Sequence, residues 1–180
     1  MTAAQTERRA ATLEIRAKGR RLEGYAATFG SETRIGGQFT EVIAPGAFTA
    51  ALGKGGDILA LVDHDAGRVL ARTRSGTLRL SEDSRGLAFS LDVPDTTAGR
   101  DVLALAERSD LGGMSFGFRA IDEHWTDDRR ELRAVDLIEI SVVSAFPAYP
   151  DTSIAARSRQ MATPRLSLAR RYLDLMEASR

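Results

Sequence analysis

A serine, a histidine and a glutamate, each set in strand-like sequence, are the residues of this 180-residue chain whose types fit covalent chemistry. Ser115 lies in the run GGMSFGF over 112–118, an alternation bracketed by glycines. His64 closes the apolar run DILALVDHD, and Glu139 interrupts AVDLIEISVVSAF. An alcohol, an imidazole and a carboxylate are the parts of acyl transfer by a serine nucleophile. The imidazole takes the hydroxyl proton, and the carboxylate orients the ring and stabilises the imidazolium. If Met114, Phe116 and Phe118 point to the core face of a strand, Ser115, Gly117 and Arg119 point the other way. Gly117 then removes a side chain beside Ser115 and makes room for a substrate backbone. Gly112 and Gly113 offer backbone N–H groups to an oxyanion.

Each residue also has a plainer explanation. Ser115 fits the solvated face of an edge strand. Gly113, Ser115 and Gly117 spell G-x-S-x-G, but the nucleophile elbow needs a strand before the serine and a helix after it, and here the order is reversed. His64 shares a predicted strand face with Ala60 and Val62 and suits a proton acceptor, since histidine as a type titrates near neutrality; it suits a capping or surface position equally well. The other histidine, His124, lies in a polar stretch beside Trp125. For Glu139, alternation puts Leu137, Glu139, Ser141 and Val143 on one strand face and Ile138, Ile140 and Val142 on the other, both largely apolar. A buried carboxylate there needs a partner, either an arginine or an imidazole.

The bulk composition excludes several classes. Lys plus Arg and Asp plus Glu are 25 each, so no net charge draws the chain to nucleic acid or an anionic membrane. The absence of cysteine removes a thiolate nucleophile, disulfides and thiolate metal sites, and only two histidines argue against a histidine-rich zinc site. The acidic residues Asp57, Asp63, Asp65, Glu82, Asp83 and Asp92 lack the spacing of a calcium loop. No cofactor and no metal is expected. No apolar run reaches the roughly 20 residues that span a bilayer. The N-terminus carries charges where a signal peptide has its apolar stretch, so the protein is expected to work where it is made.

The positioning elements follow from periodicity. Residues 1–10 read as a flexible N-terminus and 11–155 as the folded domain. Strands are predicted at 13–17, 22–29, 39–43, 58–64, 69–73, 77–81 and 87–93, with a loop over 31–37. A short helix opens at Pro45 and stops at Gly53. A second is capped by Asp95, Thr96 or Thr97 and runs to about residue 109. The GMSFGF strand, a polar turn over 125–130 and a long strand over 132–146 complete the domain. A polar linker follows over 156–163. Residues 164–180 then form an amphipathic C-terminal segment, with Leu166, Ala169, Tyr172, Leu173 and Met176 on one helical face. Many short strands with a few surrounding helices predict an α+β, mainly β fold, a closed or nearly closed β-barrel of mixed topology.

The segments GYAATFG, EVIAPGAF, LVDHD, GMSFGF and LIEISVVSAFPAYPDTSI occur in that order over residues 24–155. Together they resemble the prohead maturation proteases of tailed phages, the HK97 type. The most specific part is the E-I-S-V-V strand followed by the P-A-Y-P turn. The resemblance implies a fold similar to the herpesvirus assemblins and a serine endopeptidase of the Ser-His-Glu type. In it the histidine of the H-D segment matches His64, the serine of G-x-S-x-G-F matches Ser115, and the glutamate of E-I-S matches Glu139. Assemblins carry a second histidine at that third place, and His124 is not at the matching position. The implied partners are the major capsid protein with its scaffold segment, and the protease itself, by autoprocessing and as a homo-oligomer. The implied place is inside the procapsid, in the bacterial host cytoplasm. The C-terminal helix would then bind scaffold or shell, or dock on its own domain, and the linker would be a self-cleavage site. The alternative function is a non-catalytic capsid-assembly module that keeps the fold. A stand-alone esterase is disfavoured by the order of elements around the serine.

Overall fold

The structure is a computed structural model that describes residues 6–11 and 15–145. In chain order the strands are β1 (Glu7–Ala11), β2 (Ile15–Lys18), β3 (Arg21–Thr28), β4 (Thr33–Ile35) and β5 (Phe39–Ile43). Helix α1 (Thr49–Gly53) follows, then β6 (Leu59–Val62), β7 (Asp65–Arg72), β8 (Leu78–Glu82) and β9 (Gly86–Asp92). Helix α2 (Thr97–Glu107) leads into β10 (Gly113–Thr126) and β11 (Arg129–Val143). The mainly β character expected from the alternating sequence is the architecture observed, with two short helices among the described residues.

The β10–β11 hairpin is the spine. It carries β1 on the free edge of β10, and its other edge is shared. Arg129–Leu132 of β11 pair in parallel with β5, and Glu139–Val142 pair in parallel with β6. With β4 on β5 and β7 on β6 this makes a seven-stranded mixed sheet. A second, antiparallel sheet has the order β2-β3-β9-β8, and β3 packs against β10. The core lies between the sheets, built from Leu22, Leu87, Leu91, Met114, Phe116, Phe118, Ile140 and Val142. Phe116 stacks on Phe118 at 5.1 Å between ring centroids and meets Phe48 edge-on at 5.6 Å. These rings fill the space beneath the strand that carries Ser115.

The helices obey their local signals. Thr96 caps α2, its hydroxyl accepting from the Gly99 amide at 3.2 Å, and Gly99 and Val102 are the residues that α2 buries. The Pro45–Gly53 helix is shorter than predicted: turns occupy its first residues and α1 begins at Thr49.

Three predictions are corrected. Residues 7–10, expected to be flexible, are part of β1 and pair with β10 in register Glu7↔Phe118 to Ala11↔Met114. They hide from a hydrophobic pattern because the face they bury is ionic: Glu7 and Arg9 are buried against Glu41 and Arg130. The 31–37 loop contains a short strand, β4, held along β5. Leu137 and Glu139 do not share a face. A register shift after Gly117 pairs Leu137 with Phe118 and Glu139 with Gly117, leaving Ile138 as the extra residue. This β-bulge turns Leu137 into the core and Glu139 to the opposite face. The linker 156–163 and the C-terminal helix lie outside the described residues.

Candidate active site

Strands β10, β11 and β6 bring the three sequence-selected side chains to one region of the large sheet. Ser115 is directly opposite Ser141 across β10–β11, and Gly117 is directly opposite Glu139. Opposed residues in an antiparallel pair project to the same face, with Cβ atoms about 4.5–5.5 Å apart. Ser141 in turn lies beside Leu61 of β6, three residues before His64. The serine and glutamate are thus two steps apart on neighbouring strands, and the histidine arrives from the end of a third.

His64 was expected on a strand and is instead in a turn. Val62 pairs with Asp65, so Asp63 and His64 form a two-residue hairpin loop, with φ of 51° and 61°. Positive φ at both positions is the geometry of a type I′ turn, which usually has Asn or Asp followed by glycine. A histidine at the glycine position is held there against its own steric preference. Hydrogen bonds to the end of β11 hold it there. The Asp63 amide donates to the Val142 carbonyl at 2.9 Å. The Asp63 carboxylate accepts from the Ser144 amide and hydroxyl, each at 2.8 Å. The turn is clamped to the end of β11 through the amide and carboxylate of Asp63.

The clamp delivers the ring to Glu139. His64 Nδ1 and Glu139 Oε1 are 2.6 Å apart, a short charge-assisted contact. Of the two partners the sequence left open, the imidazole is the close one. Arg8 Nε stands 4.0 Å from the same oxygen, with its side chain 46% exposed, too far and too wet to compete. Glu139 Oε2 is occupied separately: it accepts from the Ser141 hydroxyl at 2.8 Å.

Gly117 has a different task from the one expected. A Cβ built on it would lie 2.4 Å from Glu139 Oε1 and 3.0 Å from Cδ. The space that the missing side chain leaves is filled by the glutamate head, which folds over Gly117 to meet His64. The Gly112 amide is also not free for an oxyanion, because it donates to the Val143 carbonyl at 2.8 Å.

Ser115 is fully buried, and its Oγ has no hydrogen-bond partner among the described residues. A buried hydroxyl without a partner loses its hydration for nothing, at about 1–3 kcal/mol. Ala10 of β1 is its cross-strand neighbour on the other side. Sequence reasoning missed Ser141, whose hydroxyl touches both the glutamate and the histidine backbone. Its position on the predicted face of Glu139 was the available signal.

This fold is one that a phage capsid assembly protease also has. The structure is similar to the bacteriophage T4 capsid assembly protease gp21, with a TM-score of 0.55 and 9% sequence identity, over 77% of this chain and 96% of that one. No curated protein sequence matches the chain. The chain belongs to the Caudovirus prohead serine protease family, whose profile matches residues 6–166, which makes it a prohead serine protease of phage capsid assembly and maturation.

Proposed function

We propose that the chain is a serine endopeptidase in which Ser115 is the nucleophile, His64 the general base and Glu139 the residue that orients the base. Its substrates are the scaffold segment of the major capsid protein and the protease itself, cut inside the procapsid in the host cytoplasm. The observation that carries this reading is the 2.6 Å contact between His64 Nδ1 and Glu139 Oε1, one strand away from an orphaned serine hydroxyl. A carboxylate can only accept, so Nδ1 carries the hydrogen and Nε2 keeps a lone pair. Nε2 takes the Ser115 proton as Oγ attacks the peptide carbonyl carbon. The imidazolium, stabilised by Glu139, then protonates the leaving amine, and water releases the acyl group by the same route. The barrel closure expected from the sequence belongs to this proposal too.

Co-expression with the capsid protein is the test. The wild-type chain should remove the scaffold segment. Capsid protein left whole beside the folded, full-length chain would favour the non-catalytic assembly module instead.

The Gly117 geometry yields a second expectation. Gly117→Ala places a methyl group where the Glu139 carboxylate lies, so the carboxylate must swing off His64. A misplacement of about 1 Å in a catalytic group costs roughly 10²-fold in rate. Cleavage by Gly117→Ala should fall by about that factor while the domain stays folded, read from processing time courses and thermal melts. Wild-type rates in the alanine variant would mean that the His64–Glu139 contact does not contribute.

A further inference from the structure

We infer that Ser141 is a positioning residue that fixes both members of the His64–Glu139 pair, an inference that rests on the catalytic reading above. Its hydroxyl sits between two of their groups. The His64 backbone amide lies 3.1 Å from Ser141 Oγ, and Ser141 Oγ lies 2.8 Å from Glu139 Oε2. The direction of each bond is determined. A backbone N–H can only donate, so the hydroxyl accepts from His64 and its single hydrogen must go to the carboxylate. The chain therefore runs from His64 N–H to Ser141 O–H to Glu139 Oε2, while Glu139 Oε1 returns to His64 Nδ1. It is a closed ring of three residues: the main chain of the histidine is tied to the same carboxylate that holds its imidazole.

The ring addresses two mechanical problems. Glu139 has two oxygens, and a carboxylate held at one of them still pivots about its last bond. Engaging Oε2 stops that pivot and leaves Oε1 aimed at Nδ1. His64 sits in a two-residue turn at positive φ, a backbone state with a steric cost for a side chain of this size. The bond from its amide to Ser141 holds that state from β11. Ser141 is completely buried and directly opposite Ser115, so nothing from solvent replaces the hydroxyl when it is removed.

The test uses the full chain and separates position from folding. Ring-nitrogen NMR of His64 in the Ser115→Ala background reports the tautomer, and with two histidines in the chain the assignment is short. With Ser141 present, the hydrogen should reside on Nδ1. In Ser141→Ala the ring should populate both tautomers. With Ser115 intact, kcat on purified capsid precursor should fall about 10- to 100-fold, as when an outer partner of a catalytic ligand is lost, with KM changed less than about twofold. Ser141→Cys keeps the side-chain volume with a weaker donor and serves if the alanine variant does not fold. A single Nδ1–H tautomer retained in both variants, or an undiminished kcat, overturns the inference. The tautomer readout needs no turnover, so a Ser141-dependent tautomer in a chain that cleaves nothing would overturn the catalytic reading alone.

Discussion

Ser115→Ala will abolish capsid processing and at the same time raise the melting temperature. The first effect follows from the nucleophile role proposed for Ser115. Loss of the serine of a catalytic triad costs on the order of 10⁶ in kcat, because the acyl-enzyme no longer forms. On a gel, capsid precursor that the wild type trims should stay whole over any practical incubation. The second effect follows from burial. Ser115 Oγ is buried with no hydrogen-bond partner among the described residues, so removing it relieves a desolvation penalty of about 1–3 kcal/mol and leaves a methyl group that costs nothing to bury. In a domain of this size that gain should raise Tm by at least about 2 °C. A residue kept for structure loses stability when truncated; a residue kept for reactivity often gains it. Residual cleavage by the alanine variant would place the nucleophile elsewhere. A fall in Tm would mean that the hydroxyl supports the fold after all.

Legibility of the site in the sequence tracked how much of it was written in hydrophobic alternation. Met114, Phe116 and Phe118 alternate with Ser115 and Gly117, so the face of the serine could be read directly, and the structure buries the three large residues in the core as expected. Thr96 caps α2 through a side-chain bond that short-range chemistry predicts. What escaped the pattern was non-local or ionic. The bulge at Ile138 depends on pairing with β10, and it reverses the face of Leu137 relative to Glu139. The Asp63-His64 turn has a histidine where such turns usually have glycine, so the sequence carries no hairpin signal there. Ser141 became meaningful only once a turn from β6 and the side chain of Glu139 were placed beside it. β1 was invisible because its buried side chains are Glu7 and Arg9, which a solvation argument assigns to the surface. In each case a sequence rule was overridden by a partner on another strand.

The ionic face of β1 leads to the second large effect: Arg130→Met will destabilise the fold by about 3–5 kcal/mol and reverse the slope of its acid dependence. Arg130 is fully buried and serves three carboxylates from three strands. Its Nη1 donates to Glu7 of β1 at 2.6 Å and to Glu41 of β5 at 2.9 Å, and its Nε donates to Glu123 of β10 at 2.8 Å. Arg9 completes the cluster, bonding Glu41 at 2.6 Å and Glu7 at 2.9 Å. Without Arg130, Glu7 and Glu41 share the one guanidinium of Arg9, and Glu123 loses its bond to Arg130. Burial pushes the Glu7 carboxyl up, but the hydrogen bond and charge of Arg130, reinforced by Arg9, outweigh it and hold the group below its ordinary value. A carboxyl lowered on folding stabilises above its unfolded value, about 4.3, and that contribution is lost as pH falls through the lower folded value. Wild-type stability, measured as the urea midpoint, should therefore fall on acidification. In Arg130→Met the same burial acts with its main counter-charge gone, so the Glu7 carboxyl rises above its unfolded value. The folded state then takes up protons, and the variant should gain stability as pH drops from 7 towards about 4.5. Parallel slopes in the two proteins, or a loss under about 1 kcal/mol, would contradict this account of the cluster. The effect reaches the site because β1 spans both ends: Glu7 is in the ion cluster, Arg8 stands near Glu139, and Ala10 is paired with Ser115. Loosening β1 at Arg130 should thus expose Ser115 along with the strand, and amide exchange over residues 7–11 should quicken in the variant well before the β10–β11 hairpin opens.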